Sequence, residues 1–297
     1  MAATFTAKDV SELRQRTGAG MMDCKKALEE TGGNIEQAID YLRKKGIAKA
    51  EKRVGRTASE GRIVSLTSPD GRHAVLLELN SETDFVSRND AFVKLAEDLA
   101  HHAMRDEATN AVVHNGHESP MLHQPWHGGG GTVNEVMKEA SGRTGENIVL
   151  RRYARFAADG ALGSYVHHNG KVAALVELGG STGPEASELA RTIAEHVAAG
   201  VPTIPVAVSR EDVSPELVEK ERRIFAEQAK ASGKPDNIVE KMVGGRIDKY
   251  YKEVALLEQP WVRDDSKTIR DLLAEAGKRA GAPLTVKRFA RFQMGEE

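Results

Sequence analysis

Gly61-Arg62-Ile63-Val64-Ser65-Leu66-Thr67-Ser68 and His73-Ala74-Val75-Leu76-Leu77-Glu78-Leu79-Asn80 flank Pro69-Asp70-Gly71-Arg72, and the fold follows from how this stretch is read. The flanks have strand character, and an Asp-Gly pair between strands signals a hairpin, because a type I′ turn needs positive φ at both central residues. A helix with Phe92, Leu95, Ala96 and Leu99 on one face comes next. The same unit then recurs. Gly160–His167 and Lys171–Leu178 flank His168-Asn169-Gly170, and at a constant offset Gly61 matches Gly160, Ser65 matches Ser164, Gly71 matches Gly170 and Glu78-Leu79 matches Glu177-Leu178. Leu95-Ala96-Glu97 answers Ile193-Ala194-Glu195 after a one-residue slip. Each unit closes on a related strand, Arg151-Arg152-Tyr153-Ala154-Arg155-Phe156 and Lys287-Arg288-Phe289-Ala290-Arg291-Phe292. Turns, helices and closing strands recurring in order indicate an internal duplication. The expected class is α+β, with two lobes each made of an antiparallel sheet and helices on one face.

Ahead of the first unit, residues 1–45 carry three short helical patterns, the third with Ile35, Ala38, Ile39 and Leu42 at helical period behind Asn34 as N-cap. The turn Gly18-Ala19-Gly20-Met21-Met22 places two methionines at a helix start, where adaptable thioethers suit a small core or a contact surface equally. Arg43, Lys44, Lys45, Lys49, Lys52, Arg53 and Arg56 then oppose a single Glu51, which reads as a solvated connector more readily than as a nucleic-acid site. The second unit holds an insertion. Pro215–Lys230 predicts a helix with Ser214 as N-cap, Gly233-Lys234-Pro235 breaks it, and a second helix runs from about Asn237 to Lys252, giving a projecting hairpin. The first unit instead has residues 104–146, interrupted by Gly128–Gly131 and expected to be partly loose. The expected organisation is 1–55 as a helical domain with a basic linker, 56–146 as lobe 1, and 147–297 as lobe 2 with its hairpin at about 210–253.

The 297 residues carry a net charge of −2, so any basic contact surface must be local. A single cysteine, Cys24, fits a reducing compartment and has no evident base partner. No secretory leader or membrane-length apolar run is evident, and a cytoplasmic location is expected. Each Gly-Lys pair is followed by Val172, Pro235 or Arg279, never Ser or Thr, so no phosphate-cradling loop is present and no direct nucleotide binding is expected. Six of the ten histidines fall between 101 and 127 (His101, His102, His114, His117, His123 and His127), some at ligand-like spacing. No cysteine assists them and the segment is glycine-rich, so surface histidines are favoured over a zinc site. No motif for covalent catalysis stands out, and neither a cofactor nor enzymatic activity is expected.

One segment resists a bland explanation. Between the second strand and the next helix, Asn80-Ser81-Glu82-Thr83-Asp84-Phe85-Val86-Ser87-Arg88-Asn89 sets an apolar pair in a polar connector. Composition alone favours Phe85 folding back as a staple under the helix. The equivalent loop of the second unit, Gly179–Glu185, has no aromatic, so the lobe architecture does not require one.

Leu13-Arg14-Gln15-Arg16-Thr17-Gly18-Ala19-Gly20-Met21-Met22-Asp23-Cys24-Lys25-Lys26-Ala27-Leu28 and Glu82-Thr83-Asp84-Phe85-Val86 resemble the bacterial elongation factor Ts family. The resemblance continues through Thr144–Asn147, Leu162–His167, Ser232–Pro235, Lys241–Arg246 and Phe289–Phe292, nearly the whole chain. It implies a guanine nucleotide exchange factor for elongation factor Tu, with a UBA-like N-terminal domain, a duplicated core and a protruding helical hairpin. It further implies that Thr83, Asp84, Phe85 and Val86 wedge into the partner's GTPase domain and disturb the Mg²⁺ and phosphate contacts that hold GDP. Arg14, Met21 and Met22 would grip that same domain, and His167 would reach another. The hairpin could mediate a homodimer or a two-to-two complex. Two features depart from the family: no C-terminal helix follows Phe292, and the stretch 110–131 has no evident counterpart. His168 beside His167 leaves open which of the two makes the contact. The alternative reading is an RNA- or ribosome-binding protein using the basic linker and the Arg151-Arg152 and Lys287-Arg288 strands.

Overall fold

A computed structural model describes residues 5–231 and 235–296. The expected helix break at Gly233-Lys234 and the family-like residues 232–234 therefore lie outside the described residues. Helices α1 (Ala7–Thr17), α2 (Met21–Glu30) and α3 (Ile35–Glu51) enclose Val10, Leu13, Cys24, Ala27, Leu28 and Ala38. Their ends follow local chemistry. Thr6 and Asp9 form a reciprocal capping box on α1, Gly18 closes it at φ 67°, and the Asn34 side chain accepts from Gln37 N at the start of α3.

The basic run is not a connector. It continues α3 to Glu51, because its charges find partners on neighbouring helices. Lys45 and Lys49 both reach the Asp23 carboxylate, Arg43 pairs with Glu139, Glu51 meets Lys138 at 2.9 Å, and Arg53 donates to the Ser141 carbonyl at 3.1 Å. The last three contacts fall on α6 (Val133–Thr144), and Gly46 faces Gly142 so closely that a Cβ on Gly142 would lie 2.8 Å from the Gly46 Cα.

The protein is α+β, as expected. In lobe 1, β1 (Glu60–Thr67), β2 (His73–Ser81), β4 (Val149–Ala157) and the short β3 (Val112–Val113) form an antiparallel sheet ordered β1-β2-β4-β3, so this lobe runs through its closing strand to residue 157 and does not end at 146 as expected. Helix α5 (Asp90–Met104) and α6 cover one face over a core that includes Val75, Leu77, Leu79, Phe92, Leu99 and Leu150. In lobe 2, β5 (Ala161–Val166), β6 (Val172–Gly179) and β9 (Thr285–Gln293) pair in that order under α7 (Pro184–Ala199) and α10 (Ile269–Ala280). Both hairpin turns are longer than the two-residue form: Ser68 N bonds His73 O and His167 N bonds Val172 O, each at 2.8 Å. Only Gly71 (φ 69°) and Gly170 (φ 68°) are left-handed there. The inserted hairpin is α8 (Pro215–Lys230) against α9 (Asp236–Val254), packed through Val218, Ala229, Val239, Val243 and Ile247.

The duplication extends to individual atoms. β2 and β4 shift register between Glu78 and Leu79, and β6 and β9 do so between Glu177 and Leu178. Next to each bulge, an arginine on the closing strand meets a glutamate: Arg152 Nε to Glu78 at 2.7 Å and Arg288 Nε to Glu177 at 2.6 Å. Each guanidinium then crosses to the other lobe. Arg152 lies over Phe292 at 4.7 Å and Arg288 over Phe156 at 4.0 Å, and both aromatics sit in the core shared by the uncovered faces of the two sheets. Arg152 also donates to Gln293 O at 2.8 Å and Arg155 to Met104 O at 3.0 Å, which leaves both arginines buried. The closing strands thus clasp the two lobes together. They do not present the alternating aromatic and basic surface that an RNA-binding reading needs.

The glycine- and histidine-rich stretch also proves ordered. It is the counterpart of residues 256–268. Gln124-Pro125-Trp126 matches Gln259-Pro260-Trp261, and each follows a 3₁₀ turn, Pro120–His123 and Leu256–Glu258. Pro125 bridges Thr132, as Pro260 in β7 (Pro260–Trp261) pairs with Thr268 in β8 (Asp264–Thr268). Thr132 and Thr268 each open a capping box on the next helix, and that helix closes on left-handed Gly145 or Gly281. Each glutamine holds a buried histidine, Gln124 Oε1 on His102 Nε2 at 3.0 Å and Gln259 Oε1 on His196 Nε2 at 2.9 Å. His102 also stacks on Trp126 and approaches His127 Nδ1 at 3.3 Å. Among the described residues no group of three or more His, Cys, Asp and Glu is placed to hold a metal ion.

Burial pushes the pKa values of His102 and His196 below the ordinary 6.5, since an imidazolium there loses its hydration. The unfolded chain then binds more protons than the native one as pH falls below 6.5, so stability is retained above that pH and declines beneath it. Thermal melts between pH 8 and about pH 5 should show the midpoint falling as these histidines charge in the unfolded state. Replacement of His196 by Gln should flatten that slope. A midpoint insensitive to pH across this window would contradict the assignment.

Candidate partner-binding surface

The Thr83–Val86 segment leaves β2 and forms a single helical turn, α4 (Asp84–Ser87), before α5 begins behind the Asn89 cap. Ser87 N bonds Thr83 O, Arg88 N bonds Asp84 O and Asn89 N bonds Val86 O, so the backbone is fully turned. Two side chains point inward: Val86 packs on the lobe 1 core and Ser87 is buried, with its Oγ on Asp84 O at 3.2 Å. That phase sends Phe85 outward. It is 85% exposed, more than any other large apolar side chain described, and the staple that composition favours is not made. The apolar contact with the core comes from Val86 instead. Asp84 pairs with Arg88 at 3.0 Å in an open setting where such a contact contributes little. Thr83 turns away from α4, donating its hydroxyl to Glu146 Oε1 at 2.5 Å.

Met21 and Met22 start α2 outside the three-helix core, 49% and 73% exposed, and Arg14 on α1 is exposed as well. A cleft of about 450 Å³ runs from this end of α2, past Arg43, Lys45 and Lys49, to Arg143 and Gly145 at the end of α6. Glu146, the next residue, contacts the Thr83 loop. His167 begins the β5–β6 turn, half-buried, with Nδ1 on the Tyr165 hydroxyl at 3.0 Å, whereas His168 is exposed beside it. That turn lies against β1, where Ile63 N bonds Gly170 O at 2.8 Å.

A model of the family described as elongation factor TS matches residues 82–296. Elongation factor Ts of Sinorhizobium medicae is 46% identical over 99% of this chain and 94% of its own length. Those of Prosthecochloris aestuarii and Trichlorobacter lovleyi are 45% and 42% identical, each over 98% of this chain and over 99% and 93% of their own lengths. The chain belongs to the elongation factor Ts family.

Membership makes it a translation elongation factor of the nucleotide-exchange kind, which catalyses no covalent chemistry. No described helix is long and apolar enough to cross a membrane. Exposed apolar side chains lie at Phe85 on lobe 1 and at Met21 and Met22 on the helical unit, and a basic cleft runs from the start of α2 to the end of α6. His167 lies on the other lobe, where it begins the β5–β6 turn. Glu146, which contacts the Thr83 loop, lies in Thr144-Gly145-Glu146-Asn147, a stretch that carries the family resemblance but no local signal of that contact.

Proposed function

We propose that the chain speeds GDP release from elongation factor Tu by inserting Thr83-Asp84-Phe85-Val86 into the partner's GTPase domain, where it disturbs the contacts to Mg²⁺ and phosphate. The observation that carries this reading is Phe85, held 85% exposed on a turn whose neighbouring side chains are anchored inward. A rigid, solvent-facing aromatic is the kind of side chain that fills a partner pocket at low ordering cost. Asp84 supplies a directed polar contact, and Thr83 and Val86 frame the wedge. Met21, Met22 and Arg14 grip the same GTPase domain from the helical unit. The β5–β6 turn, with His167 and the more exposed His168, reaches a different domain. The outward Leu217, Ile224 and Ile238 of the α8–α9 hairpin offer a surface for a homodimer or a two-to-two complex.

Exchange follows by linkage. Factor and nucleotide weaken each other's binding by one shared coupling free energy, so the factor expels GDP and GTP later expels the factor. Stopped-flow release of a fluorescent GDP analogue from elongation factor Tu tests the reading. The chain should accelerate release in a saturable way, and release at the intrinsic rate at every factor concentration would sink it.

A further inference from the structure

We propose that Glu146 is a positioning residue for the wedge, clamping the Thr83–Val86 turn and, together with Asn147, tying it to the end of the N-terminal helical unit. The inference rests on the reading of Phe85 as the wedge. Gly145 ends α6 in a left-handed conformation (φ 79°), and Glu146 and Asn147 follow it on the way to β4. Glu146 Oε2 accepts from Glu82 N at 3.1 Å and Thr83 N at 3.0 Å, while Oε1 takes the Thr83 hydroxyl. Its own carbonyl is fixed by the Ser141 hydroxyl at 2.5 Å. The contact is reciprocated, since Glu82 Oε1 accepts from Asn147 N at 2.6 Å.

These bonds answer a local need. A four-residue helical turn has too few internal hydrogen bonds to persist alone. Thr83 also makes no side-chain cap on α4, its hydroxyl being committed to Glu146. A carboxylate taking three donors supplies the missing anchor with charge-assisted bonds. The phase of α4, and so the outward direction of Phe85, is then set before any partner arrives, which removes an ordering cost from insertion. The clamp also reaches the helical unit: Asn147 Nδ2 donates to Arg56 O at 2.8 Å, Arg56 meets Glu82 at 3.5 Å, and Arg53 donates to Ser141 O.

The duplicate lobe separates this role from a folding requirement. After Gly281, the counterpart of Gly145, lobe 2 has Ala282-Pro283 in place of Glu146-Asn147. Its loop there is Gly180-Ser181-Thr182, packed directly on the Pro283 carbonyl, toward which a Cβ on Gly180 would come within 2.0 Å. Lobe 2 lacks both the aromatic and the carboxylate, yet makes the same sheet and helices. The clamp occurs where the exposed aromatic occurs.

The test is saturable release of fluorescent GDP from elongation factor Tu by wild type, Glu146→Ala, Glu146→Gln, Phe85→Ala and the Phe85→Ala/Glu146→Ala double variant. Glu146→Ala should lower the saturating rate roughly 5- to 10-fold while the half-saturating concentration stays within about twofold, because the other contacts still dock the factor. Glu146→Gln, which keeps the length and one acceptor, should lose less. In the Phe85→Ala background Glu146→Ala should add nothing, since it acts through that ring. A wild-type rate for Glu146→Ala, a shift in half-saturation alone, or a loss that multiplies fully with Phe85→Ala would overturn the clamp. If Phe85→Ala is slow and Glu146→Ala is not, only the clamp falls. If Phe85→Ala releases GDP as wild type does, the wedge reading falls first. Thermal melts check folding, and Glu146→Gln decides should Glu146→Ala fail to fold.

Discussion

Replacing Phe85 by alanine is expected to slow factor-stimulated GDP release roughly 30-fold, the equivalent of about 2 kcal/mol for a buried aromatic anchor. The same change should leave the thermal midpoint almost untouched, because a side chain 85% exposed contributes no core contact to lose. Few positions offer this separation. Val86, one residue on, packs against the lobe 1 core, so its truncation would mix folding and binding effects. Arg14 and the methionines would share the remaining affinity, so Phe85→Ala should lower the saturating rate more than it raises the half-saturating concentration. Full activity in Phe85→Ala, with its fold intact, would move the centre of the exchange surface elsewhere, and Met21 and Met22 would be the next residues to truncate.

Why Phe85 points outward was only partly legible in the sequence. An aromatic in the first turn before a helix can staple inward or project, and the choice depends on the phase of a single turn. Here that phase is set by Glu146, distant in sequence, which no local pattern reveals. Comparison of the two lobes reached the right expectation for a different reason, that one lobe folds without the aromatic. The same comparison stopped short at Gln124-Pro125-Trp126, because glycines and histidines around it resemble a tolerant loop. Its match to Gln259-Pro260-Trp261 becomes evident only when both histidine–glutamine pairs are seen buried. The run Arg43–Arg56 escapes local reading for a related reason. A row of like charges looks solvated until its partners, Asp23, Glu139 and the carbonyl of Ser141, are brought in by tertiary packing. Periodicity and turn residues carried the hairpins, helices and closing strands. Long-range pairing carried what they could not.

Removing the Glu78 carboxylate is expected to be the costliest single change to stability, about 3–5 kcal/mol, because it leaves the Arg152 guanidinium buried without its charge partner. The duplication supplies an internal control. Glu177 meets Arg288 with the same geometry, 2.6 Å against 2.7 Å, but the side chains are 13% and 31% exposed there against 1% and 8% in the first pair. Water can therefore reach the arginine stranded by Glu177→Ala far more readily than the one stranded by Glu78→Ala, and the second loss should be clearly smaller. Burial pushes the Glu78 carboxyl upward in pKa while Arg152 opposes it, so desolvation already weighs against this pair. It follows that the double change Glu78→Leu/Arg152→Met should recover much of what Glu78→Ala loses, since two apolar side chains meet no desolvation penalty. Denaturant unfolding of these three variants beside the wild type measures this. Equal losses for Glu78→Ala and Glu177→Ala would mean that burial does not set the cost. In that case the stacking of Arg152 on Phe292 and of Arg288 on Phe156, which both lobes share, would be what holds the clasp closed.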